Sequence, residues 1–121
     1  GFIFCGTRRG VDLAAHYASA DLLLFPSLTE TFGNVVLEAM ASGLAVVAYD
    51  YAAARLHLHN GRSGVRVAMH DAAGFIDAAA QLAAGPVRRQ RLAAAARRQA
   101  EACGWEAVVG QLEAIYRELA P

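Results

Sequence analysis

The fold class this sequence predicts is α/β with a parallel sheet, and three observations predict it. Short strand-like runs recur at positions 2–5, 21–25, 44–48 and 65–67. Stretches with apolar residues at helical spacing stand between and after them. Gly6, the Asn60 to Gly64 turn, Gly85-Pro86 and Gly104 punctuate the joins. Strands alternating with helices imply a parallel sheet, whose ligands gather at the carboxyl ends of the strands.

Taken in order, Phe2, Ile3, Phe4 and Cys5 read as a short strand closed by Gly6. Residues 11–18 follow as a short helix in which Leu13 and Tyr17 are four apart. The strand at 21–25 leads to a helix over about 34–42 and then to the strand at 44–48. A short helix is expected over 52–57, then the Asn60 to Gly64 turn and a strand at 65–67. Residues 72–83 carry Phe75, Ile76, Ala79 and Leu82 at helical spacing. Gly85 stops that helix and Pro86 opens the next, which runs to about Cys103. A last helix carries Trp105, Val108, Val109, Leu112, Ile115 and Tyr116.

The length of 121 residues suits one domain with its own core. Hydrophobic residues make up 56% and charged ones 18%, so the chain sits on the apolar side of ordinary domains. Eleven basic residues balance eleven acidic ones, and the charge gives no reason to expect nucleic acid as a partner. No run approaches the ~20 apolar residues of a membrane span, and no secretory signal pattern opens the sequence. Cys5 and Cys103 are isolated, and reduced, buried or half-buried thiols in a cytoplasmic protein are expected.

The chemistry concentrates between Phe25 and Gly43. Glu30 and Glu38 stand eight positions apart around a Thr31-Phe32-Gly33 turn that opens a helix. The first amides of a helix lack internal partners, and the macrodipole favours an anion there. Glu30 is expected in the loop facing that helix mouth, and Glu38 about one turn further in, on the face of Asn34. A ligand with a diphosphate at the mouth then meets a carboxylate at each end. A sugar suits one and a ribose the other, because both offer paired hydroxyl donors to an acceptor-only group. Either acid alone also has a structural reading: Ser27 to Glu30 fits a capping box, and Glu38 complements a helix dipole.

This block, with its Pro26-Ser27 lead and its Glu-x7-Glu spacing, resembles the signature of retaining, GT-B-fold glycosyltransferases of group 1, the family-four type. The resemblance extends over Leu44 to Ala48, the Asn60 to Gly64 turn, Trp105 and Tyr116, and so covers nearly the whole chain. It implies a Rossmann-like parallel sheet with flanking helices, part of the carboxyl-terminal, donor-binding domain. Residues 1–121 then form one truncated nucleotide-sugar-binding domain, with carboxyl-terminal helices from about 86. The implied reaction moves a sugar from a nucleoside-diphosphate donor, UDP- or GDP-linked, to a hydroxyl acceptor, without metal or other cofactor. By that resemblance Glu30 is the catalytic candidate, Phe32, Gly33, Asn34 and Val35 line the donor, and Glu38 takes the ribose. Thr7 and Arg8, in the loop after the first strand, are candidates for contact with the nucleobase.

The chain also departs from the family. Matched to the family, this sequence is expected to lack the acceptor-side domain and the first two strands of the donor domain, and with them the basic pair that neutralises the diphosphate. Transfer by this chain alone is therefore not expected, and the strand edges left open predict self-association. Ala45 replaces a usual proline, and Asp50 to Leu56 stands where the family commonly shows a Gly pair and then a Glu, with Leu56 at the Glu position. A non-catalytic nucleotide-sugar-binding module of the same fold is the alternative. This variant of the motif, Thr29-Glu30-Thr31-Phe32-Gly33, looks like members that build cell-envelope glycans or glycolipids.

Other signals are weaker. Arg88, Arg91 and Arg98 project to one side of a helix, with Arg89 and Arg97 elsewhere. That arrangement allows a stripe for phosphate or anionic lipid, while an exposed face balanced by acids is the favoured reading. His57 and His59 lack a third ligand at a recognised spacing, so no metal is expected. No Gly-x-Ser-x-Gly elbow points to a hydrolase.

Overall fold

The computed structural model describes residues 1–30 and 34–119, with Trp105 and Tyr116 described by their backbone alone. In chain order the elements are α1 (Gly10–Ala18), β1 (Leu22–Phe25), α2 (Asn34–Ala41), β2 (Ala45–Tyr49) and α3 (Ala52–His57). β3 (Val65–Val67), α4 (Ala72–Ala84), α5 (Pro86–Glu101) and α6 (Trp105–Leu119) complete them. The three strands pair in parallel in the order β1-β2-β3, with Leu22 opposite Ala45 and Val47 opposite Val65.

β2 is buried along its whole length because it has a strand on each side and helices over both faces. Its side chains alternate accordingly. Val46 and Ala48 enter a core with Val36 and Met40 of α2, Leu44, Leu58 and Ala96. Ala45, Val47 and Tyr49 enter the opposite core with Val67, Phe75, Leu82 and Leu92. There the rings of Tyr49 and Phe75 stand 5.1 Å apart in a tilted pair. α5 reaches both cores, through Leu92 on one side and Ala96 on the other.

Local chemistry sets the ends of the elements. Gly43 takes φ +77, and its N–H and that of Leu44 return to the carbonyls of Met40 and Ala39. This left-handed closure stops α2 and feeds the chain directly into β2. Asp71 caps α4 by accepting the Gly74 N–H at 2.9 Å, and Pro86 opens α5. Ala52, at the start of α3, adopts φ +42, a conformation that costs any residue with a Cβ.

Two expectations are corrected. Residues 2–5 form no strand: Phe2 and Phe4 are each 97% exposed and Ile3 88%. Strand propensity is expressed against a partner strand, and among the described residues β1 is paired with β2 and with nothing else. Cys5 and Cys103 are free thiols, as expected, but both are exposed rather than buried. Cys5 lies in the unpaired segment and Cys103 beyond the last turn of α5, so neither is covered by a packed layer.

The helices otherwise fall within a few residues of their expected bounds. α1 buries no residue. Every described side chain of α6 is exposed, including Val108, Val109, Leu112 and Ile115 along its apolar side. Among the described residues no helix is long and apolar enough to cross a membrane.

Candidate functional site

β1 delivers the chain to Pro26 and Glu30 at the carboxyl edge of the sheet. There the Glu30 side chain turns toward α3, and its Oε2 accepts the backbone N–H of Ala53 at 3.0 Å. Its other oxygen, Oε1, is buried and has no hydrogen-bond partner among the described residues. A buried carboxylate oxygen without a donor costs about 1–3 kcal/mol, which a bound hydroxyl group would recover. The capping-box reading is corrected: residues 27–30 form no helix, and Glu30 instead accepts an amide in the first turn of α3 from across the fold.

Glu30 also acts on His57, at the far end of α3. Burial pushes the His57 imidazole below its ordinary value, and the charge of Glu30 opposes that shift. Leu56, one position earlier, is 74% exposed, so a large apolar side chain stands in solvent where the family commonly places a carboxylate. Close to the same edge, Asp50 pairs with Arg55 at 3.2 Å and with Arg66 at 3.4 Å.

Asn34 and Val35 form the first turn of α2, Asn34 exposed and Val35 half-buried. Their amides belong to the set that a helix leaves without internal partners. Phe32 and Gly33 lie outside the described residues. Thr7 and Arg8 precede α1 and are exposed, and Arg8 is tied locally, to the Cys5 carbonyl at 2.8 Å and to Asp12 at 3.1 Å.

Glu38 sits on the exposed side of α2 and faces α1. The groove between the two helices has a volume of about 380 Å³ and is lined by Gly10, Leu13, Ala14, Tyr17, Glu38, Ala41 and Ser42. Burial raises the Tyr17 phenol above its usual value, and the nearby Glu38 carboxylate pushes in the same direction. Among the described residues Glu30 is not part of this groove, so the two carboxylates face different neighbours. Sequence reasoning missed Tyr17 as a partner of Glu38. Its spacing from Leu13 marks only a helix face, and nothing in the pattern shows that this face meets α2.

His57 and His59 gather no third ligand. Among the described residues no cluster of three His, Cys, Asp or Glu is present.

Comparison with known proteins agrees with this architecture. A D-inositol 3-phosphate glycosyltransferase of Thermomonospora curvata is 40% identical over 104 residues, 86% of this chain and 24% of that protein. One of Geodermatophilus obscurus is 44% identical over 104 residues, 86% of this chain and 22% of that protein. The chain thus spans about a quarter of the length of the curated relatives it matches. Among solved structures, a sucrose-phosphate synthase of Thermosynechococcus elongatus superimposes with a TM-score of 0.76 at 31% identity, over 88% of this chain and 27% of that one. The C-terminal domain of a group 1 glycosyl transferase of Francisella tularensis gives 0.69 at 25% identity, over 82% of this chain and 49% of that one. These neighbours share the GT-B architecture, and the present sheet and helices correspond to its carboxyl-terminal domain. The sequence profile of the glycosyl transferases group 1 matches residues 1–85. With the profile covering more than half of the chain, all three strands included, the chain belongs to the group 1 glycosyltransferase family.

Proposed function

We propose that this chain is the donor-binding half of a retaining, hexosyltransferase-type enzyme that takes a sugar from a nucleoside diphosphate. The observation that carries the reading is the Oε1 of Glu30, a buried acceptor with no hydrogen-bond partner among the described residues, on a side chain held at the first turn of α3. A hexose hydroxyl donating to that oxygen satisfies it, while the amides of Phe32 and Gly33, together with those of Asn34 and Val35 in the first turn of α2, take the diphosphate. Glu38 accepts the ribose hydroxyls, and Tyr17 holds its carboxylate. Thr7 and Arg8 approach the nucleobase.

Charge develops on the leaving phosphate and on the sugar ring, so catalysis is positional and electrostatic and uses no metal. The acceptor hydroxyl arrives on a separate domain, in the cytoplasm. The named activity of the relatives makes a polyol phosphate the first acceptor to try, and cell-envelope glycans or glycolipids the setting to examine.

Calorimetric titration of the chain with UDP, GDP and their hexose conjugates tests the donor reading. One nucleotide sugar is expected to bind, with affinity reduced by Glu38→Ala and, for the sugar conjugate over the free nucleotide, by Glu30→Gln. Absence of binding by every nucleotide, or indifference to both substitutions, would overturn it. The exposed Leu56 favours a second reading, a module that binds the nucleotide sugar without transferring it. An assay on a two-domain version that binds the donor yet forms no product would select that reading.

A further inference from the structure

The turn between α3 and β3 and the last turns of α5 border an open pocket of about 330 Å³. It is lined by His59, Arg62, Ser63, Ala95, Arg98 and Gln99, with no carboxylate among them. That is unusual in a chain whose arginines are mostly engaged. Arg8 pairs with Asp12, Arg55 and Arg66 with Asp50, and Arg97 with Glu101. Arg89 donates to the carbonyls of Leu82 and Ala83. Among the described residues, Arg62 and Arg98 have neither an ion pair nor a side-chain hydrogen bond, and they meet at one pocket from two different elements.

Ser63 supplies an independent observation. It is only 2% exposed, and its Oγ accepts the His59 N–H at 2.9 Å. That contact uses the oxygen as an acceptor and leaves the hydroxyl proton with no acceptor among the described residues. A buried hydroxyl with a proton to donate therefore lines the same pocket as two unpaired guanidinium groups.

The turn is held in place before any ligand arrives. Asn60 bridges to Gly64, and the Asn60 Oδ1 accepts the Arg66 N–H at 2.9 Å. Gly61 takes φ +76, and a Cβ on Gly64 would stand 3.1 Å from the Val46 carbonyl oxygen. The Gln99 side-chain amide donates to the His57 carbonyl and so fastens α5 to the entry of the turn. Donors fixed in this way bind with a smaller ordering cost.

We infer that this pocket binds a phosphate-type oxyanion. Arg62 and Arg98 are its charged arms, Ser63 Oγ its neutral donor, and His59 an imidazole at the rim. The planar forks of arginine match the oxygen geometry of phosphate. The site is separate from the proposed donor site and does not depend on it. This turn feeds the amino end of β3, whereas Glu30 follows the carboxyl end of β1, on the opposite edge of the parallel sheet. The sequence grouped Arg98 with Arg88 and Arg91 as a helix stripe; the fold groups it with Arg62 instead. Two sources present this chemistry, a small soluble phosphoester and a phosphorylated lipid headgroup.

Amide chemical shifts of the isotope-labelled full chain, titrated with inorganic phosphate at constant ionic strength, provide the test. Saturable shifts are expected at residues 61–64, 98 and 99. The double variant Arg62→Ala with Arg98→Ala should weaken binding at least about tenfold, the scale of one charge-assisted hydrogen bond. Both side chains are exposed, so the shifts of the β2 amides should confirm an unchanged fold. Arg91→Ala, an exposed arginine outside the pocket, should leave the affinity unchanged. Non-saturable shifts, or an equal loss in Arg91→Ala, would refute the site. Glycerol 3-phosphate binding without sedimentation on phosphatidic acid vesicles identifies a soluble phosphoester; vesicle sedimentation abolished by the double variant identifies a headgroup. Failure of both ligands to respond to the double variant would also refute it.

Discussion

The Glu30 carboxylate and the Ala53 backbone N–H, 23 residues apart in sequence, are joined by a 3.0 Å hydrogen bond that fixes the loop after β1 to the first turn of α3. Removing the acceptor leaves an orphan amide at the helix start. Glu30→Ala should destabilise the fold by about 1–2 kcal/mol, the range of an N-cap loss. Glu30→Gln keeps an acceptor oxygen and should stay within about 0.5 kcal/mol of the parent, the usual range away from a broken contact. Urea unfolding distinguishes them, and equal midpoints for the parent and Glu30→Ala would show that the contact carries no stability.

Ala52 lies directly before Ala53 and holds φ +42, where a Cβ crowds the backbone. Glycine relieves that crowding but adds freedom to the unfolded chain. The relief is the larger effect, so Ala52→Gly should raise stability by about 0.5–1 kcal/mol. A lower thermal midpoint in the glycine variant would count against the left-handed conformation.

Stability should decline on the acid side because of His57. Burial lowers the pKa of His57 from its ordinary 6.5 in the folded state, although Glu30 partly offsets this. Between the folded value and 6.5 the unfolded chain therefore binds more protons. The contribution of His57 is present above pH 6.5 and is lost as the pH falls toward the folded value. Urea midpoints should drop as the pH falls below 6.5, and less steeply in His57→Gln. An identical slope in the variant would remove His57 as the cause.

The exposed edge of β1 and the uncovered Phe2, Ile3 and Phe4 should drive association of the chain with itself. Sedimentation at micromolar concentration is expected to show dimers or larger species. Replacing Phe2 and Phe4 by Ser should shift the distribution toward monomer. A clean monomer for the parent would refute this.

Much of the architecture was legible because β2 and its neighbours follow simple rules. The continuous apolar run of β2 marks a strand covered on both faces, and Gly85-Pro86 marks the break between α4 and α5. Residues 2–5 misled for the opposite reason: their apolar character is local, while a strand is a relation between two segments. The same holds at the site. The spacing of Glu30 and Glu38 stood out in the sequence, but the partners of each, Ala53 and Tyr17, come from other elements. Only folding brings Arg62 beside Arg98, because one belongs to a turn and the other to a helix far along the chain.

The burial of β2 also sets a hierarchy of motion. Val46 and Val47 have 0% exposure and pair with strands on both sides, so their amides should exchange with solvent only when the whole domain opens. α1, which has no fully buried residue and reaches the core only through the edge contact of Tyr17, and α6, whose described side chains are all exposed, can open at little cost to that centre. Proteolysis should accordingly trim the chain from its two ends inward, and the fragment that survives longest should be the one built around β2.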